Sequence, residues 1–173
     1  DPIRSIAYSL LGQFYIAVPF SLINYLVFAY TPGSYHYVYA LALLVFIWVN
    51  DSFAYLTGMA FGKHRLFERI SPKKSWEGFI GGAVVSIGSS FIFAHYYQNL
   101  SALGWIGFAA ITIIFGTWGD LFESLIKRTL GIKDSGGMIP GHGGILDRFD
   151  STILAIPAVF LYLILINYSK SCF

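Results

Sequence analysis

Long stretches without charge set the pattern of this chain. No Asp, Glu, Lys or Arg lies between Arg4 and Asp51, a run of 46 residues; a second run of 42 separates Glu77 from Asp120, and a third of 19 separates Asp150 from Lys170. A helix that crosses a bilayer takes roughly 20 mostly apolar residues. The two long runs therefore hold two spans each and the third holds one. The stretches "YTPGSYH" (30–36) and "YYQNLSALG" (96–104) carry the Pro, Gly, Asn and Ser that end helices, and they divide the long runs. Helices are expected over about 5–29, 37–61, 76–97, 102–128 and 151–168. Within them apolar residues fall on every face, as lipid on all sides demands. The predicted fold class is all-α: a polytopic integral membrane protein of about five transmembrane helices, forming a single transmembrane domain over 1–173.

Composition narrows the alternatives. Hydrophobic residues make up 56% of the chain, charged residues 12%, and mean hydropathy is +0.65. A soluble domain is usually about one quarter charged, and a soluble core cannot absorb so much apolar sequence in so short a chain. The first run lacks the basic n-region and short h-region of a cleaved signal peptide. A lone Cys172 excludes an internal disulfide framework and belongs to no metal motif. With five spans, ten of the eleven basic residues collect on one side: Arg4, then Lys63, Arg65, Arg69, Lys73 and Lys74, then Lys127, Arg128, Lys133 and Arg148. Lys170 faces the other. The positive-inside rule makes the basic side cytoplasmic.

The remaining charges carry the chemistry. Asp51 lies mid-span in the second helix, and Asp120 and Glu123 lie near the inner end of the fourth. A carboxylate at that depth costs about 2.5–3.5 kcal/mol, so such residues usually face a polar interior and mark function. Glu123 also stands four residues before Lys127, the spacing of a helix-end salt bridge. The segment that follows, "KRTLGIKDSGGMIPGHGGILDRFD", holds six glycines (131, 136, 137, 141, 143 and 144) that let backbone amides approach phosphate oxygens. Lys127, Arg128, Lys133 and Arg148 add cations for phosphate. Asp147 and Asp150, where the fifth helix begins, can converge with Asp120 into an all-carboxylate cluster of the kind that holds Mg²⁺ together with substrate phosphates. His142 reads either as a proton carrier or phosphate donor, or as a structural hydrogen-bonder.

A second anionic cradle is expected at "SPKKSWEG" (71–78), with Ser71 as N-cap, Pro72 at the first helical position, and Lys73 and Lys74 beside the helix N-terminus. The competing reading is a basic loop that serves topology alone. No Walker-type loop and no dinucleotide fingerprint occurs, and no nucleic-acid partner is expected. The residues thus predict a cytoplasm-facing polar cavity that binds metal and several phosphates among membrane helices.

The stretch "SLIKRTLGIKDSGGMIPGHGGILDRFD" (124–150) resembles the signature of the phosphatidate cytidylyltransferase, or CDP-diacylglycerol synthase, family. The matching positions are Ser124, Lys127, Arg128, Lys133, Asp134, His142, Gly143, Gly144, Asp147, Arg148 and Asp150; "ISPKKSWEGFIGG", "NDSFAYLTG" and "GDLFES" also resemble family stretches, in the expected order. The likeness is strong over about 45–155. It implies transfer of a cytidylyl group from CTP to phosphatidate, giving CDP-diacylglycerol and pyrophosphate. It also implies Mg²⁺ on Asp120 and Asp147 with Asp150 as third candidate, a monovalent cation such as K⁺ beside it, and catalytic roles for Lys127, Arg128 and Arg148 at the phosphates. Ser71, Lys73, Lys74, Lys133, Asp134, His142, Gly143 and Gly144 are then the expected substrate-binding set. Family members are longer at the N-terminus, so this chain is expected to be the C-terminal part of one; a homodimer and a bacterial inner membrane are further family expectations. The alternatives are a cytidylyltransferase acting on another lipid phosphate, and an ion or proton transporter built on Asp51, Asp120 and Glu123.

Overall fold

The computed structural model describes residues 1–28, 35–132, 135–136 and 144–171, the last four for their backbone. Five helical segments are long and apolar enough to cross a membrane: Pro2–Phe28, Tyr37–Phe61, Trp76–Tyr96, Ala102–Thr129 and Leu146–Asn167. In lipid every backbone amide must be satisfied within its own segment, which is why the apolar runs become helices. The first segment comprises α1 (Pro2–Gly12) and α2 (Val18–Phe28), joined by a π-helical turn over Gln13–Ala17. Pro19 follows that turn directly; it has no N–H to give and its ring crowds the carbonyl four residues back, so the wider turn lets the helix continue. The other spans are α3 (Tyr37–Phe61), α4 (Trp76–Tyr96), α5 (Ala102–Thr129) and α6 (Leu146–Ser171).

The expected helix positions hold, with one shift that matters. The fifth span begins at Leu146 rather than near 151, so Asp147 lies in its first turn, where a carboxylate favours the N-terminal end of the helix dipole. The 62–75 connection departs further from expectation. Ser71 does not cap a helix; Ser71–Ser75 form strand β2, paired antiparallel with β1 (Arg65–Phe67), with Arg65 opposite Ser75 and Phe67 opposite Ser71. The cap is Ser75, whose Oγ accepts from Gly78 N–H at 3.1 Å. Pro72 can sit in β2 because a two-stranded ribbon is all edge, so a missing N–H need break no ladder bond. Glu77 then fastens the ribbon to α4: its carboxylate accepts from the backbone N–H of Lys63 and His64, each at 3.2 Å, and lies 2.6 Å from His64 Nδ1.

The apolar core sits at the end of the bundle away from the basic residues. Tyr39 and Phe46 of α3, Phe93 of α4 and Trp105 and Phe108 of α5 form one aromatic cluster, with the Phe46 and Phe93 rings edge-on at 5.1 Å and Phe93 and Trp105 tilted at 5.4 Å. Trp105 Nε1 donates to Tyr97 O at 3.0 Å, so the large ring is buried without an orphaned donor. Small residues bring the other helices close. Ser86 Oγ on α4 donates to Phe46 O on α3 at 2.8 Å, and a Cβ on Gly119 of α5 would stand 2.5 Å from Asp150 O on α6.

Gly119→Ala should therefore push α5 from α6. Overpacking of this kind typically costs about 1–3 kcal/mol. Thermal unfolding in detergent is expected to fall clearly for Gly119→Ala and to stay level or rise for Gly88→Ala, where nothing lies within 4 Å of the added atom. Equal midpoints for the two variants would show that α5 and α6 do not meet at Gly119.

Candidate active site

At the basic end the spans part around a cavity of about 260 Å³. Its polar lining comes from three elements: Asn50 and Asp51 on α3, Lys73, Lys74 and Ser75 on β2, and Thr117 and Asp120 on α5. Tyr55, Leu66 and Phe79 supply an apolar side. The alternation of β1 turns Leu66 inward between the exposed Arg65 and Phe67, so the ribbon is a wall of this cavity.

Two lysines organise the charges. Lys74 is ion-paired with Asp120, which also accepts from Ser124 Oγ at 3.3 Å. Asp51 faces the same ammonium across the cavity, and Asp150, at the start of α6, feels both Asp120 and Lys74. Lys127 is the centre of a second cluster. Its Nζ lies 2.8 Å from Asp147 Oδ1 and 3.2 Å from Glu123 Oε1. Glu123 is 1% exposed, and the Lys127 contact is an ion pair rather than an aligned hydrogen bond, since neither carboxylate oxygen has a hydrogen-bond partner among the described residues. A buried carboxylate of this kind depends on its cation. The helix-end salt bridge expected from the Glu123–Lys127 spacing is present.

Asp147 stands at the join between α5 and α6. Besides Lys127, its oxygens accept from Ser135 N–H at 3.0 Å and from Gly144 N–H at 2.9 Å. A carboxylate so occupied ties the chain between α5 and α6 to the start of α6. Asp120 and Asp147 are thus held by different cations. Among the described residues no group of three His, Cys, Asp or Glu side chains forms a metal cluster. Asp51 and Asp120 are the carboxylates that line the cavity, and Asp150 on α6 lies near enough to Asp120 to interact with it. Such a donor set fits Mg²⁺, which commonly takes one or two carboxylates and completes its shell with water and substrate phosphates.

The other predicted positions divide as follows. Lys73 and Lys74 line the cavity, but Ser71 does not appear in its lining. Arg128 is exposed on the last turn of α5, Arg148 is exposed on the first turn of α6, and Gly144 is buried with its N–H on Asp147. Lys133, Asp134, His142 and Gly143 lie outside the described residues, as does Cys172. Asn50, Tyr55, Ser75 and Thr117 were missed by sequence reasoning. Asn50 had a signal in its neighbour Asp51: it is buried, its Nδ2 donates to Asp51 Oδ1 at 3.5 Å, and its own Oδ1 has no donor among the described residues.

Known proteins match this arrangement in sequence. The model of the cytidylyltransferase family matches residues 1–166. A protein named phosphatidate cytidylyltransferase from Haemophilus influenzae is 43% identical over 134 residues, covering 74% of this chain and 46% of the relative. One of the same name from Staphylococcus aureus is 39% identical over 159 residues, covering 91% of this chain and 59% of the relative. A third, from Thermotoga maritima, is 43% identical over 128 residues, covering 70% and 47%. The chain spans about half the length of these curated relatives. With a family model matched along nearly all of its 173 residues, the chain is a member of the cytidylyltransferase family.

Proposed function

We propose that this chain carries the catalytic part of a membrane nucleotidyltransferase that moves a cytidylyl group from CTP to phosphatidate, giving CDP-diacylglycerol and pyrophosphate. The carrying observation is the cavity whose polar side brings Lys73, Lys74, Asp51 and Asp120 together while Tyr55, Leu66 and Phe79 keep an apolar side. An amphipathic lipid phosphate and a polyphosphate are the ligands such a mixed lining fits. The positive-inside rule places this end at the cytoplasm, where CTP is available, and a bacterial inner membrane accords with the bacterial relatives.

The chemistry asks little of a general base. A phosphate monoester is largely dianionic near neutral pH, its second proton leaving near 6. One of its oxygens attacks the α-phosphorus of CTP; a new P–O bond forms, the bond to the β-phosphate oxygen breaks, and its electron pair departs with pyrophosphate. The demands are in-line placement and neutralisation of charge. Lys73 and Lys74 meet the phosphates from β2. Asp120 and Asp150 are the residues that would hold Mg²⁺, which neutralises phosphate charge when bound. Lys127 braces α5 against α6 through Asp147 and Glu123, and so fixes the distance between Asp120 and Asp150. Arg128 and Arg148 stand at the same end and extend the cationic field.

Purified protein incubated with labelled CTP, Mg²⁺ and phosphatidate should place label in the lipid fraction, and an unlabelled lipid fraction would remove the proposal. Lys74→Ala deletes a charge-assisted contact worth about 1.5–3 kcal/mol. A drop in kcat/KM for CTP of roughly 10- to 150-fold is expected, with Lys74→Arg recovering part of it.

The carboxylates should separate by phenotype. Asp120→Asn and Asp150→Asn are expected to raise the Mg²⁺ concentration needed for half-maximal rate. Asp147→Asn should leave that concentration unchanged and instead lower the unfolding midpoint, because Lys127 and Glu123 lose their shared partner. A Mg²⁺ titration of all three variants decides; a shift for Asp147→Asn like that for Asp120→Asn would return Asp147 to the metal.

A further inference from the structure

The β1–β2 ribbon has a second face that the cavity does not use. Leu66 and Lys74 turn inward, while Arg65 and Phe67 point out. Lys63, Arg65 and Arg69 are all exposed, and among the described residues none of them is in an ion pair. Glu68 is the one acidic residue in 62–75. Exposed aromatics stand among these cations: Phe61 at 69%, Phe67 at 50% and Trp76 at 49% relative exposure. Phe61 ends α3 and Trp76 begins α4, so the ribbon is fixed at the level where two spans leave the bilayer. Trp76 N–H donates to His64 O at 3.0 Å, and together with the Glu77 contacts this holds the ribbon at that level.

We propose that the outward face of this ribbon is a docking surface for the anionic phospholipid headgroups of the adjacent leaflet. Charge complementarity selects the occupant. The unpaired cations match headgroup phosphates, and the aromatic rings match the interface between headgroup and hydrocarbon. A nucleotide would satisfy the cations, but its single base could stack on only one of Phe61, Phe67 and Trp76, which stand on three different elements. The same ribbon walls the cavity, so anionic lipid gathered on its outer face is concentrated beside that cavity. The docking surface rests on the spans and the ribbon alone. Its use in supplying lipid substrate rests on the proposed reaction.

A single fluorophore at Pro72→Cys, in a Cys172→Ser background, tests the surface without reference to activity. The labelled protein is placed in phosphatidylcholine nanodiscs containing a small fraction of either spin-labelled phosphatidylglycerol or spin-labelled phosphatidylcholine. Each basic residue near an anionic lipid favours it by roughly fivefold. Quenching by the anionic label is therefore expected to exceed that by the zwitterionic label at least about threefold. Salt near 0.5 M should shrink the difference, since screening there acts over roughly 4 Å. Arg65→Gln with Arg69→Gln should bring the two labels close to parity, while the unfolding midpoint stays that of the parent. Equal quenching by both labels in the parent overturns the surface, as does an anionic preference untouched by the two substitutions. Enzymatic rates at fixed phosphatidate content, with and without added phosphatidylglycerol, are the separate arm: an unchanged rate alongside preferential quenching would leave the docking surface and remove its supply role.

Discussion

A charge carried to the edge of a bilayer has little water to solvate it and must be matched where it stands. The basic end of this bundle is arranged around that constraint. Lys127 is matched by carboxylates from two helices, Glu123 on its own helix and Asp147 on the next. Lys74 is matched by Asp120 across the join between ribbon and bundle. Each pairing is also a tie between elements that apolar contact alone would leave free to slide. The first fixes α5 to α6 and the second fixes β2 to α5, so the ionic contacts that lower the cost of burial also set the shape of the cavity.

The opposite end works by other means. Trp105, Tyr39, Phe46, Phe93 and Phe108 are packed together, with the Trp105 indole N–H donating to Tyr97 O inside the bundle. Between helices in lipid there is no hydrophobic drive of the kind water provides, so close fit carries the association. Glycine and serine at the crossings permit that fit. The molecule is therefore stiff where it has no chemistry, and it holds its charges at the end where helices part.

Much of this was legible in the chain. Uncharged runs of 46, 42 and 19 residues can only be satisfied as helices in lipid, and their division at Pro, Gly and Asn placed the spans within a few residues. The cluster at the end of α5 was visible because Glu123 and Lys127 share a helix face. Two features were hidden for physical reasons. The pattern Ser-Pro-Lys-Lys-Ser satisfies the local rules for a helix start at Ser71 and again at Ser75, and Glu77 bonding back to Lys63 and His64 decides for the later one. The partners of Asp147 were the second: the helix beginning at Leu146 turns its carboxylate to Lys127 and to two backbone amides. Contacts that close over a 20-residue separation are invisible to spacing arguments.

The Lys74–Asp120 pair has a consequence for any polyanion entering the cavity. Both side chains are partly exposed, at 29% and 28%, so the pair is accessible to solvent and to ligand while still meeting in a confined space. A phosphate approaching Lys74 competes with Asp120 for the same ammonium. A divalent cation held by Asp120, as proposed, would remove the competition by taking the carboxylate while the phosphate takes the lysine. Neither ligand alone would leave both groups matched. On that proposal the pair would favour the complex of metal and polyphosphate over either component. In the proposed reaction this is a selection step written into one ion pair.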